Sequence, residues 1–80
     1  MKSHIPLTNL QEGQKGIVLD LLSADSMRRR LQDLGIINGT SIECLQKGPS
    51  GDPVAYKIRG AIIALRSEDA NKIIVMQQRS

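Results

Sequence analysis

The apolar residues of this chain come in short runs of five or six, each stopped by glycine, proline or a polar cluster. The run over 17–22 follows Gly16, the run over 54–59 lies between Pro53 and Gly60, and the run over 61–66 begins directly after Gly60. Runs of this length rich in branched side chains suit β-strands, while a helix shows itself by a longer apolar period. Twenty-two of the 80 residues are Ile, Leu or Val, and Tyr56 is the only aromatic residue. A domain of this size hides only about 60–65% of its unfolded surface. Nearly every aliphatic side chain is therefore needed for one shared core, and the expected organisation is a single domain over residues 1–80. The lone Cys44 excludes an internal disulfide and suits a reducing compartment. The N-terminal residues lack the apolar stretch of a signal peptide, and no run approaches the ~20 residues that span a bilayer, so the expected location is the cytoplasm.

Along the chain, Leu7 and Leu10 are spaced for one helical turn between Pro6 and Gly13. Residues 17–22 are expected as a strand with Ile17, Leu19 and Leu21 on one face and Val18 and Leu22 on the other. A helix is expected over 24–34, with Ser23 as its N-cap, Met27, Leu31 and Leu34 as its apolar stripe, and Gly35 as its left-handed terminator. Asn38-Gly39 marks a turn, and 40–47 reads as a strand whose alternation breaks at Leu45, as a bulge would break it. Residues 48–53 hold two Gly and two Pro and form a loop. Residues 54–59 and 61–66 form a hairpin about Gly60, with Lys57 and Arg59 on the outer face. Ser67 is placed to cap a single helical turn, and 72–77 supplies the last strand. About five strands with one inserted α-helix, in so small a chain, describe a mainly β, SH3-like barrel, since an open sheet of these strands would leave adhesive edges.

Enzyme chemistry lacks its parts. A nucleophile and base would have to be Cys44 and His4, yet His4 lies in an N-terminal extension and Cys44 sits on an apolar strand face, where a thiol is usually a small core hydrophobe. The same two residues are the only soft or imidazole ligands, so a zinc site of the usual kind has no donor set within one chain. A weak site bridging two chains through His4, Cys44 or carboxylates is the remaining metal option. The glycine-proline loop lacks the Gly-Lys-Ser/Thr ending and the following helix that cradle a phosphate. No catalytic, cofactor or metal residue is therefore assigned. The net charge of +3 is scattered from Lys2 to Arg79, and one tyrosine cannot supply stacking for several bases, so nucleic acid is not the expected partner. Arg28, Arg29 and Arg30 point in different directions around a helix, so they form no single patch. The candidate contacts for a protein partner are the helix face with Arg28, Arg29 and Asp33, the loop Ser50-Gly51-Asp52, and the basic strand edge Lys57 and Arg59. A solvated, partly paired surface is the plainer reading of the helix.

Taken in order, Arg28-Arg29-Arg30-Leu31-Gln32-Asp33-Leu34-Gly35, Asn38-Gly39-Thr40 and Ile42-Glu43 resemble the FeoA family. The loop 48–53 with Val54-Ala55-Tyr56, Ile58-Arg59-Gly60, Ala64-Leu65-Arg66 and Glu68-Asp69-Ala70 is similar to the same family. Asn38 stands where the family usually has proline, and asparagine tolerates the same turn. The resemblance implies an SH3-like barrel of the kind also found as the C-terminal domain of iron-dependent repressors. It further implies a cytoplasmic, non-enzymatic accessory protein of bacterial ferrous iron uptake. Its partner would be the cytoplasmic part of a FeoB-type ferrous iron transporter, so that it meets the membrane only through that partner. The resemblance carries no agreed iron-binding residue. A metal-responsive regulatory module and a small-barrel nucleic-acid binder are the alternatives, and homo-oligomerisation stays open.

Overall fold

The computed structural model describes residues 4–78. Six strands, rather than about five, form one antiparallel sheet: β1 (His4–Pro6), β2 (Lys15–Leu21), β3 (Ser41–Lys47), β4 (Val54–Ile58), β5 (Ala61–Leu65) and β6 (Ile73–Gln78). Helix α1 (Asp25–Asp33) is inserted between β2 and β3, and the single turn α2 (Ser67–Ala70) joins β5 to β6. The strand order is β1-β6-β2-β3-β4-β5. His4 is thus part of a strand, paired with Met76, and not of an extension. The mainly β architecture with one inserted helix is the expected one.

Alternation sets the inner face. Ile42 and Cys44 on β3, Val54, Tyr56 and Ile58 on β4, and Ile73 and Val75 on β6 are all buried. They form a single core with Leu7, Leu10, Val18, Leu21, Leu31 and Ile36. Leu7 and Leu10 reach it through the expected turn, a 3-10 turn over Leu7–Asn9. Two irregularities adjust the faces. The register of β3 against β4 shifts between Cys44 and Gln46, which makes Leu45 the bulged residue foreseen from its broken alternation. A second shift, between Val18 and Asp20 on β2, was not legible. It inserts Leu19 as an extra residue, so Val18 and Leu21 both face the core, contrary to simple alternation, and Leu22 is exposed.

Helix α1 ends as its sequence dictates. Gly35 adopts φ +96°, its N–H donates to the Gln32 carbonyl at 2.9 Å, and the Ile36 N–H donates to the Leu31 carbonyl at 3.0 Å. This is the paired-bond termination that glycine permits, with buried Leu31 and Ile36 as its apolar contact. The start differs from expectation. Ala24 occupies the N-cap without a side-chain bond, and the buried Ser23 Oγ has no hydrogen-bond partner, so Ser23 is not the cap. The stripe is also narrower than expected: Leu31 is buried, Met27 is half-buried, and Leu34 is exposed.

Gly16 is buried where β2 crosses β6, and a Cβ there would lie 2.9 Å from Val75 Cγ2 and 3.0 Å from Val75 Cβ. Valine is stiff and itself buried, so neither side can yield cheaply. Gly16→Ala is expected to lower stability by about 1–3 kcal/mol, read as a reduced denaturant midpoint in chemical unfolding.

Candidate functional site

The residues singled out for partner contact fall on three elements. Arg28, Arg29 and Asp33 stand exposed along α1. The loop Ser50-Gly51-Asp52 is exposed, yet it is also tied down. The Asp52 carboxylate accepts the Ser67 N–H at 2.8 Å and the Ser67 hydroxyl at 3.2 Å, while the Gly51 carbonyl lies 3.3 Å from the same hydroxyl. Asp52 therefore serves the first N–H of α2, a role expected of the Ser67 side chain, and Ser67 is a helical residue with Arg66 in the cap position.

Lys57 and Arg59 come together. Arg59 is not a strand residue: with φ +51° it forms a two-residue turn with Gly60, φ +84°, because both positions of a tight hairpin need positive φ. Its side chain crosses toward the end of α1, where Cδ lies 2.8 Å from the place a Cβ on Gly35 would occupy. Lys57, Arg59, Gly60, Lys15, Ser41 and Glu43 line a shallow depression of about 200 Å³. The registers Lys15↔Glu43 and Glu43↔Lys57 place one acid between two lysines across three adjacent strands. With three cations against one acid, the depression keeps a net positive charge. Lys15 and Glu43 were not singled out in the sequence, because only the strand register brings them beside Lys57.

A larger groove of about 560 Å³ runs between α1 and β5, lined by Met27, Arg30 and Leu34 on one side and by Ile63, Ala64 and Arg66 on the other, with α2 at one end. Arg30 therefore stands beside the apolar stripe of Met27 and Leu31. Among the described residues no group of three or more His, Cys, Asp or Glu gathers as a metal site, and no helix is long and apolar enough to cross a membrane.

Cys44 and Tyr56 face one another across β3 and β4, both buried. Burial raises the Cys44 thiol above its ordinary range, opposed by Lys47 and reinforced by Glu12. Burial also pushes the Tyr56 hydroxyl up to about 12, and a charge on Cys44 would push in the same direction. A thiol kept neutral and enclosed is a poor nucleophile and a poor metal ligand.

The fold and these surfaces describe a small SH3-like domain built to present charged and apolar faces around a filled core. A family model described as "FeoA domain" matches residues 5–77. The chain belongs to the FeoA domain family. It is 33% identical over 69 residues to an Fe(2+) transport protein A/Fe(2+) transporter FeoB fusion protein of Porphyromonas gingivalis, covering 86% of this chain and only 8% of that relative. The solution structure of a FeoA-like protein from Clostridium acetobutylicum matches with a TM-score of 0.89 and 32% identity, over 100% of this chain and 93% of that one. FeoA of Stenotrophomonas maltophilia, described as a prokaryotic SH3 domain protein and solved with zinc, matches with a TM-score of 0.79 and 27% identity, over 99% and 96% of the two chains. A manganese-dependent transcriptional repressor shares the fold, with a TM-score of 0.84 at 23% identity over 98% of this chain and 44% of that one.

Both raised pKa values favour the folded state below the unfolded values, about 9 for Cys44 and 10 for Tyr56. That contribution is lost as pH climbs through the folded values. Stability is expected to hold up to about pH 9 and to fall toward pH 12, with phenolate absorbance appearing alongside unfolding. Denaturant titrations at several pH values check this, and Tyr56→Phe is expected to flatten the upper part of the decline.

Proposed function

We propose that the chain is a single-domain, non-enzymatic accessory protein of ferrous iron uptake, acting in the cytoplasm by binding a FeoB-type transporter. The observation that supports this reading most strongly is the P. gingivalis relative, whose description joins a transport protein A to the transporter FeoB in one polypeptide. Fusion supplies a high effective concentration to modules that otherwise have to meet by diffusion. The physical character of the domain agrees. Its core is filled by its own aliphatic side chains, its cysteine is buried and neutral, and its charged side chains are offered outward from stiff elements.

Such a protein works by preferring one conformation or assembly of its partner, because only differential affinity shifts an equilibrium. Contacts are assigned to the α1 face with Arg28, Arg29 and Asp33, to the loop Ser50-Gly51-Asp52, and to Lys57 and Arg59. Since the loop also anchors α2, the charges on α1 and at the hairpin tip are the cleaner probes. The likeness to the repressor is one of fold alone and adds nothing to a metal-responsive reading.

Titration of the full chain against the detergent-solubilised, full-length transporter tests the proposal. Saturable binding is expected, weakened by about tenfold or more when Arg28 and Arg29, or Lys57 and Arg59, are reversed to glutamate. Absence of binding by the unaltered chain would refute it.

A further inference from the structure

The two edges of the sheet are unlike. β1 is three residues long and contains Pro6, which removes a backbone donor. β5 runs for five residues, Ala61–Leu65, with no charge, no proline and no break in its register against β4. Natural edge strands are usually blunted by charges, proline, bulges or short length, and β5 carries none of these. Ile62 on this strand is 71% exposed.

The register shows which backbone groups are left over. The Arg59-Gly60 turn closes on the pair Ile58↔Ala61, so the hydrogen-bonded positions of β5 against β4 fall at Ala61, Ile63 and Leu65. Ile62 and Ala64 consequently turn both N–H and C=O away from β4, toward the open edge. Two donors and two acceptors alternating at strand spacing are complementary to one thing, another extended chain. Beside this edge lies the 560 Å³ groove, with half-buried Met27 and Ile63 as its apolar surface and the exposed cations Arg30 and Arg66 on opposite walls. Glu68 and Asp69 of α2 keep negative charge at one end.

We propose that an extended segment of the partner protein adds to β5 as a seventh strand, lying in the groove between β5 and α1. Alternate side chains of the segment face the groove: an apolar one meets Met27 and Ile63, and an acidic one pairs with Arg30 or Arg66. The inference rests on the transporter reading and names the surface and the binding mode for it.

Amide hydrogen exchange of the full chain, with and without the solubilised full-length transporter, tests the proposal together with two variants. Ala64→Pro removes an edge donor that β4 does not use and places a ring where the added strand must approach. Arg30→Glu reverses one wall of the groove. Expected are strong protection of the Ile62 and Ala64 amides by the transporter and a loss of affinity of about tenfold or more in each variant. If Ala64→Pro fails to fold, amide protection and Arg30→Glu decide. Unchanged affinity in the variants with unprotected Ile62 and Ala64 amides overturns strand addition while leaving transporter binding intact. A failure of the unaltered chain to bind overturns the function and the inference together. Protection that rises with the chain's own concentration, without transporter, assigns the edge to a second copy and overturns the proposal.

Discussion

The rest of the fold depends on the close contact of β2 with β6. β6 is the last strand among the described residues, yet it lies between β1 and β2, so the N-terminal and C-terminal strands meet in one ladder. The contact is permitted by the absence of a side chain at Gly16, over which the Val75 methyl packs. Once β6 is seated, Ile73 and Val75 complete an interior that β2, β3 and β4 have already half enclosed with Val18, Leu21, Ile42, Tyr56 and Ile58. A small domain with a single aromatic residue has little apolar area to spare, so a loosened β6 would weaken every layer of the core.

That enclosed interior directs interaction to the outer surface. The inward residues are occupied with one another, including a thiol and a phenol that burial holds neutral. What remains for interaction is the outer surface, and the fold distributes it into distinct parts. The rung Lys15–Glu43–Lys57 carries charge across three strands, the Asp52–Ser67 contacts fix the glycine-proline loop against α2, and α1 stands apart from β5 with a groove between them. The same Arg59-Gly60 turn that sets the β5 register also sends Arg59 toward the end of α1, which couples the hairpin tip to the helix terminus.

Much of this was legible in the sequence because local rules agreed with the global fold. Gly35 terminates α1, Leu45 forms the bulge, and Val54, Tyr56 and Ile58 face inward, each for a reason contained in a few neighbouring residues. The failures share a different cause. The bulge at Leu19, the strand nature of His4–Pro6 and the pairing of Lys15 with Glu43 are decided by partner strands far away in sequence. The start of α2 follows the same rule: its first N–H is met by Asp52, 15 residues before Ser67, rather than by a neighbouring side chain. Of the candidate contact residues, their types and exposure were readable, but their grouping was not. Simple alternation puts Arg59 on a strand face, whereas its positive φ in the turn directs it elsewhere.

The role proposed for the domain is support of ferrous iron uptake through engagement of the transporter. It is tested most directly by measuring radiolabelled ferrous iron uptake in a host from which this protein has been deleted. Uptake is expected to fall and the unaltered chain to restore it, whereas a chain carrying Lys57→Glu and Arg59→Glu, expressed to the same level, restores it poorly. Uptake that is unchanged by the deletion would overturn the proposed role.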